Sequence, residues 1–305
     1  MESRSRLSEV GAEVRAVVGQ AGLPVEFADI ISNSLTLDGR VLAVEPLAYW
    51  ARLVLAAAEV AGLSDWRQAA PAAAAVEFTV ASFEVFDDIQ DGEPNPIVAG
   101  LGVPQALNVA IGLLVLGQRA LLRLPDRGVS PEVTLAVQRE LTDAIAVAGG
   151  GQYLDLVLEA RPSATEQDAL EVAGRKTAAL VAGACRVGAR LGTADPQILD
   201  VLARFGWHAG LADQLQNDLH GLRAEGGKGD QIRGKATLPA TAARAFGLGD
   251  GSAADETDAA RQRALANSGA LHYTWVVMDL HRQRAKEILK ELGPAHPTEA
   301  LFDLL

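Results

Sequence analysis

Phe86-Asp87-Asp88-Ile89-Gln90-Asp91 closes a long apolar run and decides how this chain is read. Three carboxylates in such a setting are costly unless something cationic meets them. On a helix, Asp87 and Asp91 stand four apart and face the same way, with Asp88 three before Asp91. Two or three carboxylates on one helical face suit a hard, oxygen-seeking cation. Mg²⁺ is commonly held by one or two carboxylates together with phosphate oxygens and water. The plain alternative is an acidic helix end running into the loop Gly92-Glu93-Pro94-Asn95-Pro96.

A second polar stretch weighs against that alternative. Gln214-Leu215-Gln216-Asn217-Asp218-Leu219-His220-Gly221 continues to Glu225, and Asn217, Gly221 and Glu225 fall at i, i+4 and i+8, one stripe of a helix. An amide oxygen, a carboxylate and room for water at the glycine suit a second Mg²⁺ site, with Gln214 one turn before on nearly the same face. The competing interpretation is a solvated polar face. Basic residues are few but placed. Lys176-Thr177 interrupts the small, apolar segment 174–180, and the glycine-rich segment 226–239 carries Lys228 and Lys235. Lysine is a compact point charge suited to phosphate oxygens.

Further out, alanine, leucine and valine recur at helical spacing, only 5% of the 305 residues are aromatic, and β-branched alternation is weak, so the chain reads as an all-α helical bundle. Breaks are expected near 92–104, 124–130, 192–196, 226–239, 247–254 and 293–297, and Ser130-Pro131-Glu132 is a helix-start signal. No linker divides the chain, so residues 1–305 are expected to form one domain. The net charge of −12 argues against a nucleic-acid partner. The single cysteine, Cys185, excludes an internal disulfide framework and argues for a reducing compartment, the cytoplasm. The N-terminus lacks a signal-peptide core, and the most apolar stretch, 101–116, is too short and too polar to span a membrane, interrupted as it is by Pro104, Gln105 and Asn108.

Five segments in order, DDIQD (87–91), GQYLDL (151–156), KTAAL (176–180), QLQNDLHG (214–221) and GKATLP (234–239), make the chain resemble the polyprenyl synthetase family, the class I isoprenoid synthase fold. The resemblance implies a helical bundle with a central active-site cavity and two metal-bearing helices facing each other. It implies three Mg²⁺ ions holding the diphosphate of an allylic prenyl substrate, and a homodimer. Family roles fall on Asp87 and Asp91 as metal ligands with Asp88 supporting, and on Asn217 in the second site. Lys176, Lys228 and Lys235 would contact diphosphate, with Thr177, Gln214 and Gln152 assisting. Phe83 and Thr79, one and two turns before Asp87, are expected to point down the pocket. Phe205, Trp207, His272, Tyr273 and Trp275 are candidates for its wall.

The departures are equally informative. Chain-elongating members hold isopentenyl diphosphate with a GGKR-type motif and an arginine pair after the first aspartates. Here the first counterpart reads Asp38-Gly39-Arg40-Val41-Leu42-Ala43-Val44-Glu45-Pro46, and no Lys or Arg occurs between Asp91 and Arg119. Asn217 and Gly221 replace two aspartates, and the run from Asn217 to Glu225 resembles the metal motif of class I terpene synthases, with Glu225 a metal ligand. The expected function is therefore a Mg²⁺-dependent terpene synthase that ionises an allylic diphosphate and cyclises or quenches the cation. The alternatives are a trans-prenyltransferase, elongating or using a non-isopentenyl acceptor like the pheromone-prenylating branch, and a non-catalytic regulatory subunit.

Overall fold

The computed structural model describes residues 2–37, 39–43, 47–92, 95–159, 161, 163–221, 235–247, 265 and 267–305. Every regular element among them is helical, as the periodicity predicts: α1 (Glu2–Gly19), α2 (Val25–Ser34), α3 (Tyr49–Val60), α4 (Ala70–Asp91), α5 (Pro96–Leu101), α6 (Val103–Leu121), α7 (Pro131–Glu159), α8 (Glu166–Ala173), α9 (Ala179–Gly192), α10 (Pro196–Gly221), α11 (Leu238–Ala245), α12 (Ala270–Lys290) and α13 (Glu299–Phe302). Short 3₁₀ turns occupy Trp66–Ala69 and Pro125–Arg127. The contacts divide the chain into two compact units, each discontinuous in sequence. The first comprises Met1–Asp143, Gly183–Ala203 and Leu292–Leu305, the second Ala144–Ala182 and Arg204–Glu291.

In the first unit α4 is the core helix, and every side chain from Ala70 to Ser82 is buried. Its alanines let neighbours approach closely. On α6, a Cβ added at Gly117 would stand 3.0 Å from the Ala75 carbonyl oxygen and from Thr79 Oγ1, so glycine there sets the α4–α6 spacing. Among the described residues the segment Trp66–Asp91, not 101–116, is the one long and apolar enough to cross a membrane by composition, and 83% of its most apolar window is buried inside the fold. That is how a core helix reads. Buried Glu13 of α1 anchors the stretch after α6, accepting from Arg123 and, at 2.7 Å, from Arg127. Ser130 Oγ accepts from the Val133 amide, so the expected cap forms. The break expected over 92–104 contains a helix, α5. Asn95 caps it by accepting from the Ile97 and Val98 amides, and Pro96 supplies the first-turn conformation. Gly92 (φ 62°) and Gly102 (φ 78°) turn the chain on either side.

In the second unit, α8 starts with a reciprocal capping box between Thr165 and Asp168. The core joins Ala212, Leu215 and Leu219 of α10 to Ala169, Leu238 and Met278. On the same two long helices, His208 of α10 and His281 of α12 meet Nδ1 to Nδ1 at 2.8 Å. Such a pair forms only with one ring donating and the other accepting. Burial pushes His208 down to about 4, helped by His281, Arg284 and Arg204, and lowers His281 as well. Because the folded chain binds these protons less readily than the unfolded chain, stability should fall as pH drops from about 6.5 towards about 4. His208→Gln should flatten that slope in thermal unfolding scans. An identical slope in the variant would remove the pair from the account.

Candidate active site

The aspartates occupy the end of α4, with Asp87, Asp88 and Asp91 all half-buried and no basic residue in the last turn. This is the negative end of the helix dipole, and the Asp87–Asp91 pair adds like-charge repulsion. A helix end of this kind favours a cation. Asp88 is tied to the next helix. Asn95 Nδ2 donates to its Oδ2 at 2.6 Å, tying the start of α5 to the end of α4. The donor set is oxygen alone, which fits a hard cation. Among the described residues no three carboxylates, imidazoles or thiols converge on one point. A metal bound through one or two carboxylates, with the rest of its shell from phosphate and water, does not require that they do.

One turn before Asp87 and Asp88 stands Glu84, and a turn or two deeper the fully buried Glu77. Both meet the buried Arg40, Glu84 through a direct ion pair and Glu77 at 3.9 Å. Burial pushes the Glu77 carboxyl up to about 7, against the opposing pull of Arg40 and the Ala51 amide, which donates to it at 2.9 Å. Glu84, flanked in sequence by Phe83 and Val85, is thus paired with a residue far away in sequence. Thr79 is taken up by the α4–α6 interface, its hydroxyl donating to the Ala75 carbonyl at 2.8 Å, while Phe83 is half-buried.

In the second unit, Lys176 and Thr177 lie in a single π-helical turn, Gly174–Ala178, between α8 and α9. Such turns concentrate at functional sites because the extra residue re-aims its neighbours. Three glycines fit this turn to its surroundings. A Cβ at Gly151 of α7 would lie 2.4 Å from the Lys176 amide nitrogen, one at Gly210 of α10 would lie 2.6 Å from the Ala178 Cα, and one at Gly174 would meet the Trp207 ring at 2.8 Å. The resulting close approach brings the expected residues together. Lys176 Nζ donates to Asp155 Oδ2 at 3.1 Å, Thr177 Oγ1 donates to Gln214 Oε1, and Gln214 Nε2 donates to Asp218 Oδ1 at 2.8 Å. Gln152, one helical turn before Asp155, is buried, and neither its amide nitrogen nor its amide oxygen has a hydrogen-bond partner; the Thr237 hydroxyl is in the same position. Buried groups left so are costly and call for an explanation such as a ligand.

Asp155, Asp218 and Asn95 bond to candidate site residues, and motif reading passed over all three. The spacing of Gln152 and Asp155, three apart on α7, and the Asn95-Pro96 cap were the available signals. Asn217 is exposed on α10, whereas Asp218 is buried and enters the hydrogen-bond network. Lys235 is buried beside Ala236, which packs on Leu158, Ala164 and Val172. Lys228 and Glu225 lie outside the described residues. Of the aromatic candidates, Phe205 is buried in packing, Tyr273 bonds Glu166, and Trp275 stacks on His272 with half its surface exposed, so neither His272 nor Trp275 lines a dry pocket wall within this chain.

The all-helical packing, with a carboxylate-ended helix in one unit and a lysine-bearing π-turn in the other, fits the class I isoprenoid synthase fold. The polyprenyl synthetase family model matches residues 50–262, and the chain belongs to that family. It is 35% identical over 204 residues to geranylgeranyl diphosphate synthase of Mycobacterium tuberculosis, covering 63% of this chain and 57% of that one, so it spans a little over half of that relative's length. It is 31% identical over 278 residues to (2E,6E)-farnesyl diphosphate synthase of Mycobacterium bovis, covering 83% and 76% of the two chains. Among solved structures, polyprenyl synthetase from Streptomyces coelicolor superposes with a TM-score of 0.80 at 26% identity, over 97% of this chain and 94% of that one.

Proposed function

We propose that this chain is a Mg²⁺-dependent prenyltransferase that ionises an allylic prenyl diphosphate. The observation that carries the reading is the π-turn bearing Lys176 and Thr177, packed against α7 at Gly151, with the next residue, Gln152, holding a buried amide that has no hydrogen-bond partner. Bound Mg²⁺ would supply the positive charge that lets diphosphate leave an allylic carbon. In this reading Asp87 and Asp91 hold the metal and Asn95 restrains Asp88. Asn217 and Glu225 complete a second metal site, three ions in all. Lys176, held by Asp155, donates to diphosphate oxygens, as do Lys228 and Lys235. Gln152 donates and accepts from its buried amide, and Gln214 keeps Thr177 oriented. Aliphatic side chains around the prenyl tail, with Phe83 beside them, keep water from the cation.

The relatives are named for prenyl diphosphate synthesis, and this favours transfer to an acceptor over the cyclisation that the motif departures suggested. A second reading, cyclisation or capture by water, keeps one support: Asn217 and Gly221 stand where the family's second motif has aspartates. A regulatory subunit has less, because Asp87, Asp91 and Lys176 are all present. The two units interleave in sequence, which supports one domain over 1–305. A homodimer is supported by the exposed stripe Leu107, Ile111, Val115 and Leu122 on and just after α6; a monomer mass by light scattering would remove it. The buried, free Cys185 suits a reducing cytoplasm.

The test is incubation of the full chain with geranyl, farnesyl, geranylgeranyl and geranylfarnesyl diphosphates, with Mg²⁺ or with chelator. Diphosphate release and products are read by phosphate assay and mass spectrometry. Metal-dependent release from at least one substrate is expected. No release from any of the four sinks the reading.

A further inference from the structure

On the reading that Asp87 and Asp91 hold Mg²⁺, on which this inference rests, the last turn of α4 must itself be held. The end of a helix lacks onward hydrogen-bond partners for its last carbonyls and frays readily. Here the like charges of Asp87 and Asp91, four apart, add to that tendency. The restraint comes from the next corner of the chain. α5 buries none of its six residues, yet Asn95, the residue just before it, is only 7% exposed. What this corner buries is therefore an amide and not an apolar side chain.

Both ends of that amide are in use. Oδ1 accepts from the Ile97 amide at 2.8 Å and from the Val98 amide at 3.2 Å. Nδ2 donates to Asp88 Oδ2 at 2.6 Å. Only one orientation of the amide serves all three bonds, because two backbone N–H groups require an acceptor and an ionised carboxylate requires a donor. Accepting at Oδ1 also strengthens donation from Nδ2, since linked hydrogen bonds polarise one another. Starting α5 needs only an oxygen, which serine, threonine or aspartate supplies about as well. Among these caps, asparagine alone carries its acceptor and its donor on separate atoms, so it can cap one helix and reach a carboxylate on another. Asparagine at this position is thus explained by Asp88 and not by α5.

We infer that Asn95 is a positioning residue for the metal: by fixing Asp88 it sets the end of α4 from which Asp87 and Asp91 present their oxygens to Mg²⁺. Asp87 adjoins Asp88 and Asp91 follows three residues on, all within the last two turns of α4, so a shift of that backbone moves the three together. The chemistry of the restraint matters. A lysine or arginine in its place would hold Asp88 as well, but would cancel part of the negative charge that attracts the cation. A neutral amide holds the carboxylate and leaves that charge in place. Partners that fix a metal's ligands from outside its coordination sphere are worth about 10–100-fold in metal affinity.

The probe is Mn²⁺, standing in for Mg²⁺ and titrated into the full chain without any prenyl substrate, with the free ion followed by its electron paramagnetic resonance signal. Asn95→Ser keeps a capping oxygen and has no atom in the place of Nδ2. It should bind Mn²⁺ about tenfold more weakly than the native chain. Asn95→Ala loses the cap as well, so its Tm should fall below that of Asn95→Ser while its Mn²⁺ affinity falls by the same factor. In turnover, Asn95→Ser should raise the Mg²⁺ concentration for half-maximal rate more than it lowers kcat. A folded Asn95→Ser that binds Mn²⁺ as the native chain does overturns the inference. So does an Asn95→Ala whose affinity lies well below that of Asn95→Ser, because α5 and not the amide bond would then set the metal. A native chain that binds no Mn²⁺ at millimolar concentrations takes the metal from α4 and the inference with it. Failure to release diphosphate from any allylic substrate is a separate outcome: it removes the prenyl-transfer reading, while the Mn²⁺ titration still reports on Asn95.

Discussion

Asp87→Asn and Asp91→Asn should each lower Mg²⁺-dependent diphosphate release by on the order of 10³-fold, the scale expected when a charge-stabilising contact to the leaving group is lost. Stability should hardly move. Both residues lie in the last turns of α4, where a carboxylate opposes the helix dipole and the pair repel at i, i+4. Asparagine keeps the size of the side chain and removes one of the two like charges, so Tm should stay within about 2 °C of the parent. The combination is what identifies a site built for a ligand rather than for the fold. A retained rate would take the metal away from these residues. A large drop in Tm would make them structural, as Asp88 partly is through its bond to Asn95. Asp88→Asn, by loosening the α4–α5 corner, should cost less activity than either neighbour.

The parts of this molecule that follow from local chemistry are legible in the amino-acid sequence. Helical periodicity predicts the all-α fold, Ser130-Pro131 starts α7, and Gly92 closes α4. Chemistry-bearing residue types at fixed spacing predict the aspartates, Lys176-Thr177 and Gln214, and the second unit brings Thr177 and Gln214 into contact. What stays hidden depends on distance in sequence. Glu84 looks misplaced along the chain because its partner, Arg40, comes from a different loop. The π-turn has no sequence period of its own, and in the fold α7 and α10 approach it closely at Gly151 and Gly210. Asp155 and Asp218 read as ordinary helix carboxylates until that packing supplies their partners. The departures from the family's motifs are visible in sequence. They do not bear on family membership, which is why departures that point to cyclisation coexist with relatives that make prenyl diphosphates.

The run Gly149-Gly150-Gly151 makes the dependence on packing testable within three adjacent residues. At Gly149 and Gly150 an added Cβ meets nothing within 4 Å, and both positions are exposed. Alanine there should stabilise α7 by up to about 1 kcal/mol, since it removes the backbone freedom of glycine in a helix. At Gly151 the same methyl would stand 2.4 Å from the Lys176 amide nitrogen, 2.7 Å from the Arg175 carbonyl carbon and 2.8 Å from Arg175 Cβ. Two of these atoms are backbone and cannot swing aside. The helices must separate by about 1 Å, which overpacking data put at roughly 1–3 kcal/mol. The π-turn would move away from α7, and with it the Lys176–Asp155 bond and the Gln152 amide beside it. Misplacement of that size at a reacting centre costs on the order of 10²-fold in rate. Gly151→Ala should therefore lower both Tm and kcat, while Gly149→Ala and Gly150→Ala raise Tm and leave kcat intact. If all three variants behave alike, the α7 contact does not set the position of Lys176, and the site must be held by α10 through Gly210 alone.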